Sequence, residues 1–217
     1  MGGPEDIIQL REQRREINDS TIRRAKSRIP KTEEEHELAA KAWDKFQADV
    51  SKGYASEPMS LDRVNLGEVL LVDSFPVHEK RANSVPKVRV ITNYKTNHVN
   101  HYAWIPSKLR YDGFNELQQA ASILKSSWPG QLEMGKADFK SAYKTVPPAT
   151  DQAWLCWALV YNPHLGEHQV TQLHSQTFGS LGAVIAWYRA AKAIQTVMEQ
   201  LGLVVQLHVD DCFWITP

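Results

Sequence analysis

The chain has 217 residues, of which 42% are hydrophobic, so it can build a packed core and is not a wholly disordered protein. No apolar run reaches the roughly 18 residues of a membrane span, and the N-terminus lacks a secretory signal, so we expect an intracellular protein of the cytoplasm or nucleus with no membrane partner. The 25 basic and 25 acidic residues balance to a net charge of zero, which argues weakly against a nucleic-acid partner.

The first segment, residues 1–60, is predicted to be a helical N-terminal extension. Residues 7–29 are rich in Arg and Glu with few apolar side chains, which predicts a surface helix or a partly ordered arm. Pro30 interrupts this pattern, and the capping-box sequence at residues 32–35 starts a second helix that ends near Gly53. Its apolar residues recur at helical spacing, which indicates core packing rather than a binding site: Leu38, Ala42, Trp43, Phe46 and Val50.

The second segment, residues 61–130, is predicted to mix strands and helix. The predicted elements are strands at residues 69–72 and 87–92 and a helix at residues 115–124. Residues 76–86 are expected to connect the two strands. Alternation along the second strand puts Lys87 and Arg89 on one face, where two cations could grip a triphosphate or a nucleic-acid backbone.

Residues 80–110 carry seven basic side chains and no Asp or Glu, with aromatic residues among them. Such a stretch can contact phosphates through its charges and bases through its rings. A solvated loop region of uneven charge explains the same composition equally well. The basic residues are Lys80, Arg81, Lys87, Arg89, Lys95, Lys108 and Arg110, and the aromatic ones are Tyr94, Tyr102 and Trp104.

The third segment, residues 131–217, is predicted to alternate strands with one long helix. A glycine-punctuated turn at residues 178–182 precedes that helix. The predicted strands cover residues 132–136, 154–161, 169–173, 203–209 and 212–216. The first of them delivers Asp138 at its end, and Asp210 and Asp211 are predicted to form the turn between the last two.

Three aspartates are the main candidates for chemistry. Asp210 and Asp211 stand in an apolar run typical of a buried strand, where a charge must be paired or must hold a metal. Together with Asp138 from a separate strand end, they suit a two-metal phosphoryl-transfer centre, although an Asp-Asp pair alone is more typical of a solvated turn. The ligands are hard carboxylates, and Cys156 and Cys212 give no metal-ligand spacing. We therefore expect two Mg²⁺ ions, with Mn²⁺ as a substitute.

The order of these motifs resembles the fingers and palm of reverse transcriptases, particularly those of retrotransposons. That order is a basic strand, an aspartate at a strand end, a glycine turn into a helix, and an Asp-Asp hairpin. The likeness runs from about Lys52 to the last residue. It implies an α+β fold with a polymerase right-hand palm at residues 131–217, a fingers-like segment at residues 61–130, and no thumb.

The resemblance also implies roles for individual side chains. Asp138, Asp210 and Asp211 would be the catalytic metal ligands. Tyr143, five residues after the first of them, would be the aromatic gate that excludes a ribose 2′-hydroxyl. A glycine at position 179 would let the backbone approach the nascent base pair. The implied nucleotide-binding residues are Lys87, Arg89, Phe139, Tyr143, Phe178 and Gly179.

The implied activity is that of a nucleotidyltransferase, an RNA-directed DNA polymerase of a retroelement that uses dNTPs and an RNA or DNA template with a primer. Two positions depart from the family's common pattern, because His208 replaces an aromatic residue such as Tyr or Phe and Asn93 replaces an aspartate. The sequence ends six residues after Asp211 (217 minus 211). We therefore expect a fragment of a polyprotein with further domains, or a truncated relic, with little processive synthesis by this chain alone.

Two other functions fit the same residues. A non-catalytic reverse-transcriptase-like module would keep the fold and bind nucleic acid or a protein partner without metal. An RNA-dependent RNA polymerase palm would share the acidic geometry. Tyr143 argues against the RNA polymerase, because an aromatic gate would exclude its ribonucleotide substrates.

Overall fold

The computed structural model describes residues 4–79, 87–103, 109–111 and 113–216. Its described elements mix helices and sheets, so the predicted α+β class is confirmed. The chain forms two compact units. Unit 1 comprises residues 1–104 and 146–183, and unit 2 comprises residues 105–145 and 184–217.

The α-helices, in chain order, are α1 (Pro4–Glu12), α2 (Arg14–Lys26), α3 (Glu33–Ser51), α4 (Val99–Tyr102), α5 (Phe114–Ser127) and α6 (Leu181–Gln200). The strands are β1 (Met59–Ser60), β2 (Leu71–Glu79), β3 (Lys87–Thr92), β4 (Glu133–Asp138), β5 (Trp157–Asn162), β6 (Glu167–Gln172), β7 (Val204–His208) and β8 (Asp211–Thr216). Short 3₁₀ helices cover Leu61–Arg63, Ala142–Thr145 and Thr150–Leu155. None of the helices in the described ranges is long and apolar enough to cross a membrane.

The core of unit 1 is a five-stranded sheet in the order β1-β6-β5-β2-β3. Among the strands of the described ranges in this sheet, β2 and β5 run parallel and the other pairs are antiparallel. Successive side chains of a strand point to opposite faces of the sheet, so neighbouring residues pack in different hydrophobic clusters. Val72 packs with Trp43 and Phe46 of α3, whereas Leu71 packs with Ala25 of α2. The sheet is therefore covered by a helix on each face.

Helix α2 is a packed helix and not an arm. Its Asn18 side chain is 1% exposed and bonds to three backbone groups of the segment that leads into β2. Its Nδ2 donates to the carbonyl oxygens of Leu66 and Val69 at 3.0 and 2.8 Å, and its Oδ1 accepts from the Leu71 N–H at 2.8 Å. A single polar residue among charged neighbours gives no periodic signal, so the sequence pattern could not reveal this contact.

The start of α3 agrees with the local sequence signal. Thr32 caps α3, with reciprocal bonds between Thr32 and Glu35, as the capping-box sequence predicts.

The prediction that residues 76–86 connect the two strands is wrong for residues 76–79. These residues belong to β2, which continues to Glu79 with Pro76 opposite Val90. Proline is tolerated there because β2 pairs with β5 only over its first three residues, which leaves the other edge of Pro76 unpaired. Residues 80–86 lie outside the described ranges.

Unit 2 contains a three-stranded antiparallel sheet in the order β4-β8-β7. Helix α6 is tied to β7 by the buried Gln195, whose Nε2 donates to the Val205 carbonyl oxygen at 2.8 Å. Val205, Leu207 and Cys212 lie on one face of the hairpin and are buried, and Ile215 on the opposite face of β8 is buried as well. Both faces of the sheet therefore contain buried side chains.

Candidate active site

Strand register in unit 2 brings the predicted aspartates to one end of the sheet. Asp138, the last residue of β4, lies directly opposite Asp211, the first residue of β8. His208, the last residue of β7, lies opposite Asp211 from the other side. Residues directly opposite on antiparallel strands point to the same face, with Cβ atoms about 4.5–5.5 Å apart. The three side chains therefore form a row across the sheet.

The hairpin turn differs from the prediction by one residue. It consists of Val209 and Asp210, so Asp211 belongs to β8 and not to the turn. This shift matters, because it places Asp211 in register with Asp138 and puts Asp210 between β7 and β8. Cross-strand hydrogen bonding fixes the register, which the local pattern of residues around the turn does not specify.

Two hydrogen bonds hold the turn in place. Val209 has a φ of +57°, an uncommon and strained conformation for a β-branched residue. The indole N–H of Trp187 donates to the Val209 carbonyl oxygen at 2.8 Å. The Phe139 N–H donates to the Asp210 carbonyl oxygen at 2.9 Å, and the Phe139 ring meets Trp187 edge-on with 5.1 Å between centroids. The backbone after Asp138 is thereby bonded to the backbone of Asp210.

The carboxylates are more exposed than the apolar flanks predicted. Asp138 is exposed, Asp210 is partly exposed, and the Asp211 side chain is 34% exposed. The expectation of carboxylates within buried strand is therefore wrong. The reason is that Asp138 and Asp211 lie at strand ends and Asp210 lies in the turn between β7 and β8. Every residue of β4 but Gly135 is exposed. Their charges do not require a metal merely to offset burial.

A lysine supplies the local counter-charge. Lys136 Nζ lies 3.0 Å from Asp211 Oδ1 and 5.2 Å from the centre of the Phe213 ring. Like charges directly opposite on neighbouring strands repel each other, so this ammonium offsets the repulsion between Asp138 and Asp211. Lys136 was not singled out from the sequence, although strand alternation puts residue i−2 on the same face as Asp138.

The donor set suits a hard divalent cation, since it consists of carboxylate oxygens without thiols. The backbone positions of Asp138 and Asp211 are close enough for their side chains to share an ion after rotation about side-chain torsions. The side chains are not already gathered in this way. Within the described ranges, no group of three or more His, Cys, Asp or Glu residues is arranged to hold a metal ion.

Two tyrosines lie in the electrostatic field of Asp210. Burial raises the pKa of Tyr143 to about 12, with further increases from Asp210 and Tyr111. Burial also raises the pKa of Tyr111, as do its neighbours Tyr188 and Asp210. The Tyr111 ring packs edge-on against Tyr188 with 5.3 Å between centroids. Its buried hydroxyl has no hydrogen-bond partner in the described part of the chain. Both phenols stay protonated at neutral pH and can donate hydrogen bonds.

The predicted basic residues Lys87 and Arg89 lie on β3 in unit 1, and both are exposed. Glu79 pairs with Arg89 through two bonds, from Arg89 Nε at 2.7 Å and from Arg89 Nη2 at 3.1 Å. Glu79 is also directly opposite Lys87 in the strand register. Part of the positive charge predicted for this face is thus already balanced. Four further residues of the basic and aromatic run lie outside the described ranges: Lys80, Arg81, Trp104 and Lys108.

The turn that precedes α6 lies in unit 1 and contains two of the predicted nucleotide-binding residues, Phe178 and Gly179. Phe178 is 59% exposed. Gly179 has a φ of +110°, and a Cβ there would lie 2.3 Å from the Thr92 carbonyl oxygen. Asn100 fixes the turn, donating to the Gly179 carbonyl oxygen at 2.7 Å and accepting from the Leu181 N–H at 2.9 Å. Packing against the end of β3 is sufficient to require glycine here.

Comparisons with known proteins add no assignment to this geometry. A scan against models of protein families gives no match, and neither does a search of the curated proteins. A function for this chain must therefore be argued from its motifs and from the arrangement of the described side chains.

Proposed function

We propose that this chain carries the fingers and palm of an RNA-directed DNA polymerase of a retroelement. It would add dNTPs to a primer 3′-hydroxyl on an RNA or DNA template. The observation that carries the proposal is the register of unit 2, with Asp138 opposite Asp211 and Asp210 in the turn bonded to Phe139. Three carboxylates at one sheet end suit nucleotidyl transfer better than hydrolysis by a nucleophilic side chain, which would need an adjacent base.

Asp138 and Asp210 would hold the divalent cations, and Asp211 would assist. When bound there, Mg²⁺ supplies activation of the primer hydroxyl and stabilisation of the departing pyrophosphate. The chain's own contribution is positioning. The bond from the Phe139 N–H to Asp210 keeps the two strand ends together, and Trp187 restrains the strained Val209. A preorganised site of this kind needs little rearrangement during the reaction.

Aromatic and basic side chains would recognise the nucleotide. Tyr143 presents a protonated, half-buried ring in the same unit as the carboxylates, as a gate against the ribose 2′-hydroxyl would. Arg89 would neutralise the triphosphate after exchanging its bidentate partner Glu79 for phosphate oxygens. Lys87 adds a second charge on the same strand face. Phe178 offers an exposed ring to the nascent base pair.

Replacing Asp210 by Asn tests the metal chemistry. The change removes a ligand charge while keeping the side-chain size, so we expect Mn²⁺ binding to weaken at least about tenfold, or about 1.4 kcal/mol. Isothermal titration calorimetry with Mn²⁺ measures this directly. In parallel, single-nucleotide addition to a DNA primer on an RNA template should be lost.

Glu133→Gln is the matched control. Glu133 is an exposed carboxylate at the other end of β4, about 16 Å along the strand from Asp138. It should leave Mn²⁺ binding and nucleotide addition unchanged. Equal Mn²⁺ affinities for the wild-type, Asp210→Asn and Glu133→Gln chains would rule out the proposed metal site.

Replacing Tyr143 by Ala tests the gate. Removing the ring opens space beside the sugar, so we expect the preference for a deoxynucleotide over the matching ribonucleotide to fall at least about tenfold, or about 1.4 kcal/mol. Single-turnover addition of each nucleotide to the same primer gives this ratio. Tyr143→Phe keeps the ring and should keep the preference. A wild-type chain that prefers ribonucleotides would instead favour an RNA-dependent RNA polymerase.

One observation favours a second candidate, a non-catalytic module of the same fold that binds nucleic acid or a protein. Asp211 already has a partner in Lys136, an ion pair that needs no metal. Such a module predicts that neither Asp138→Asn nor Asp210→Asn alters nucleic-acid binding, with or without Mn²⁺. The enzyme predicts that Mn²⁺ changes primer-template affinity in the wild-type chain only.

A further inference from the structure

We propose that unit 1 contains a binding site for a purine base, in the cleft between the end of α2, the start of α3 and strands β2, β5 and β6. All of its lining residues belong to unit 1, so the proposal is independent of the aspartates of unit 2. The cleft has a volume of about 350 Å³, within the range of about 300–1,000 Å³ that small-ligand sites occupy. The side chains that argue for a base are Arg28, Asp73, Phe75, Tyr161 and His168.

Three neighbouring strands supply rings to the cleft. β2 pairs with β5 over its first three residues, although both strands continue further. Phe75 of β2 and Tyr161 of β5 lie beyond the paired stretch, and both line the cleft. Tyr161 in turn packs against His168 of β6, with 5.2 Å between ring centroids. This lining suits a planar ligand that stacks on rings.

A buried ion pair holds a hydrogen-bond donor in the cleft. The Asp73 side chain is 2% exposed, and its Oδ2 accepts a hydrogen bond from Arg28 Nη1. The guanidinium carbon of Arg28 also lies 4.2 Å from the centre of the Phe75 ring. The Arg28 side chain is 37% exposed, and its guanidinium has no other hydrogen-bond partner within the described ranges. Its remaining N–H groups are therefore available to a ligand, and the carboxylate and the ring fix their position.

The charges of the lining side chains balance. Arg28 and Lys31 are positive, whereas Asp73 and Glu35 are negative. Burial and the nearby cations lower the pKa of His168 to about 4, so its imidazole is neutral at pH 7. An anion or a cation bound here would meet no net opposite charge, because the four charges cancel. A neutral ligand with polar edges would meet both donors and acceptors.

A purine base combines these properties, since it is neutral, planar and polar at its edges. Its N7 accepts a hydrogen bond, and in adenine the neighbouring N6 amino group donates one. A guanidinium can only donate, whereas a neutral imidazole has one donor and one acceptor nitrogen. Arg28 would donate to N7, and His168 would accept from the amino group. The base would stack on the rings of Phe75 and Tyr161.

Adenosine binding to the intact chain, measured by isothermal titration calorimetry, tests the proposal. The wild-type chain should bind adenosine with a Kd below about 1 mM. His168→Leu removes the hydrogen-bonding ring and Phe75→Leu removes an aromatic wall, so each should weaken binding at least about tenfold. His164→Leu is the matched control, because His164 is an exposed histidine in the turn between β5 and β6, and its affinity should equal that of the wild type. Thermal unfolding of each variant separates a folding defect from an effect on the cleft.

Competition identifies the source of the base. Displacement of adenosine by single-stranded oligoadenylate would assign the site to a base of a nucleic-acid strand, and retention of adenosine would assign it to a free nucleoside. Displacement by inorganic phosphate would overturn the proposal, because it would reveal an anion site. Absence of adenosine binding, or equal affinities for the wild-type, His168→Leu and Phe75→Leu chains, would overturn it too. These failures leave the proposed function standing, because that function is tested by Mn²⁺ binding and nucleotide addition.

Discussion

Asn18→Leu is expected to lower the free energy of unfolding of unit 1 by on the order of 4 kcal/mol. Leucine has nearly the size of asparagine, so the change leaves the space filled. The Leu71 N–H and the carbonyls of Leu66 and Val69 lose their partner, and each buried orphan group costs about 1–3 kcal/mol. Urea denaturation followed by tryptophan fluorescence measures the loss.

The neighbouring residue offers a control for this prediction. Asp19 is exposed on the same helix, so Asp19→Leu also introduces a leucine into α2 but breaks no buried contact. Its effect should stay within about 0.5 kcal/mol. Similar stabilities for the Asn18→Leu and Asp19→Leu chains would contradict the account of α2 as an integral part of unit 1.

Gly179→Ala is expected to destabilise unit 1 by about 3 kcal/mol or more. The new Cβ would lie 2.3 Å from the Thr92 carbonyl oxygen, and the φ of +110° is a conformation that L-residues rarely adopt. Strain of this kind costs about 1–3 kcal/mol, and an overpacked contact adds about 1–3 kcal/mol. Thermal and urea unfolding without nucleotide or nucleic acid isolates this structural effect.

Gly166→Ala separates the cost of the positive φ from the cost of the close contact with Thr92. Gly166 also has a positive φ, of +69°, but no atom lies within 4 Å of the position of its Cβ. Only the conformational cost remains, about 1–2 kcal/mol. If Gly179→Ala costs no more than Gly166→Ala, the close approach to Thr92 is not what requires glycine, and a role in nucleotide binding gains weight. The functional role of Gly179 stays a prediction.

Several elements were predictable because their signals are local. The capping box at Thr32 and the apolar stripe of α3 depend on residues within a few positions of one another, and both appear as expected. The bounds of β3 match the alternation of its side chains. Such features are fixed by backbone hydrogen bonds and side-chain periodicity along one stretch of chain.

The surroundings of the aspartates depended on pairings that the local pattern does not encode. The turn falls on Val209 and Asp210, one residue earlier than predicted, because β7 and β8 pair with His208 opposite Asp211. The apolar flanks predicted buried carboxylates, but strand ends at a sheet edge are exposed. The ion pair between Lys136 and Asp211 follows from the same register.

The sequence alone determined the α+β class, most of the element order and the three aspartates as the residues to consider, because composition, periodicity and motif order are properties of the chain itself. Only the tertiary structure decided that Asp138 faces Asp211, that Lys136 balances their charge and that Asn18 joins α2 to the sheet. These outcomes depend on which distant backbone groups bond to each other. That choice is made by the cooperative packing of the whole unit, where a shift of one residue would change every neighbour.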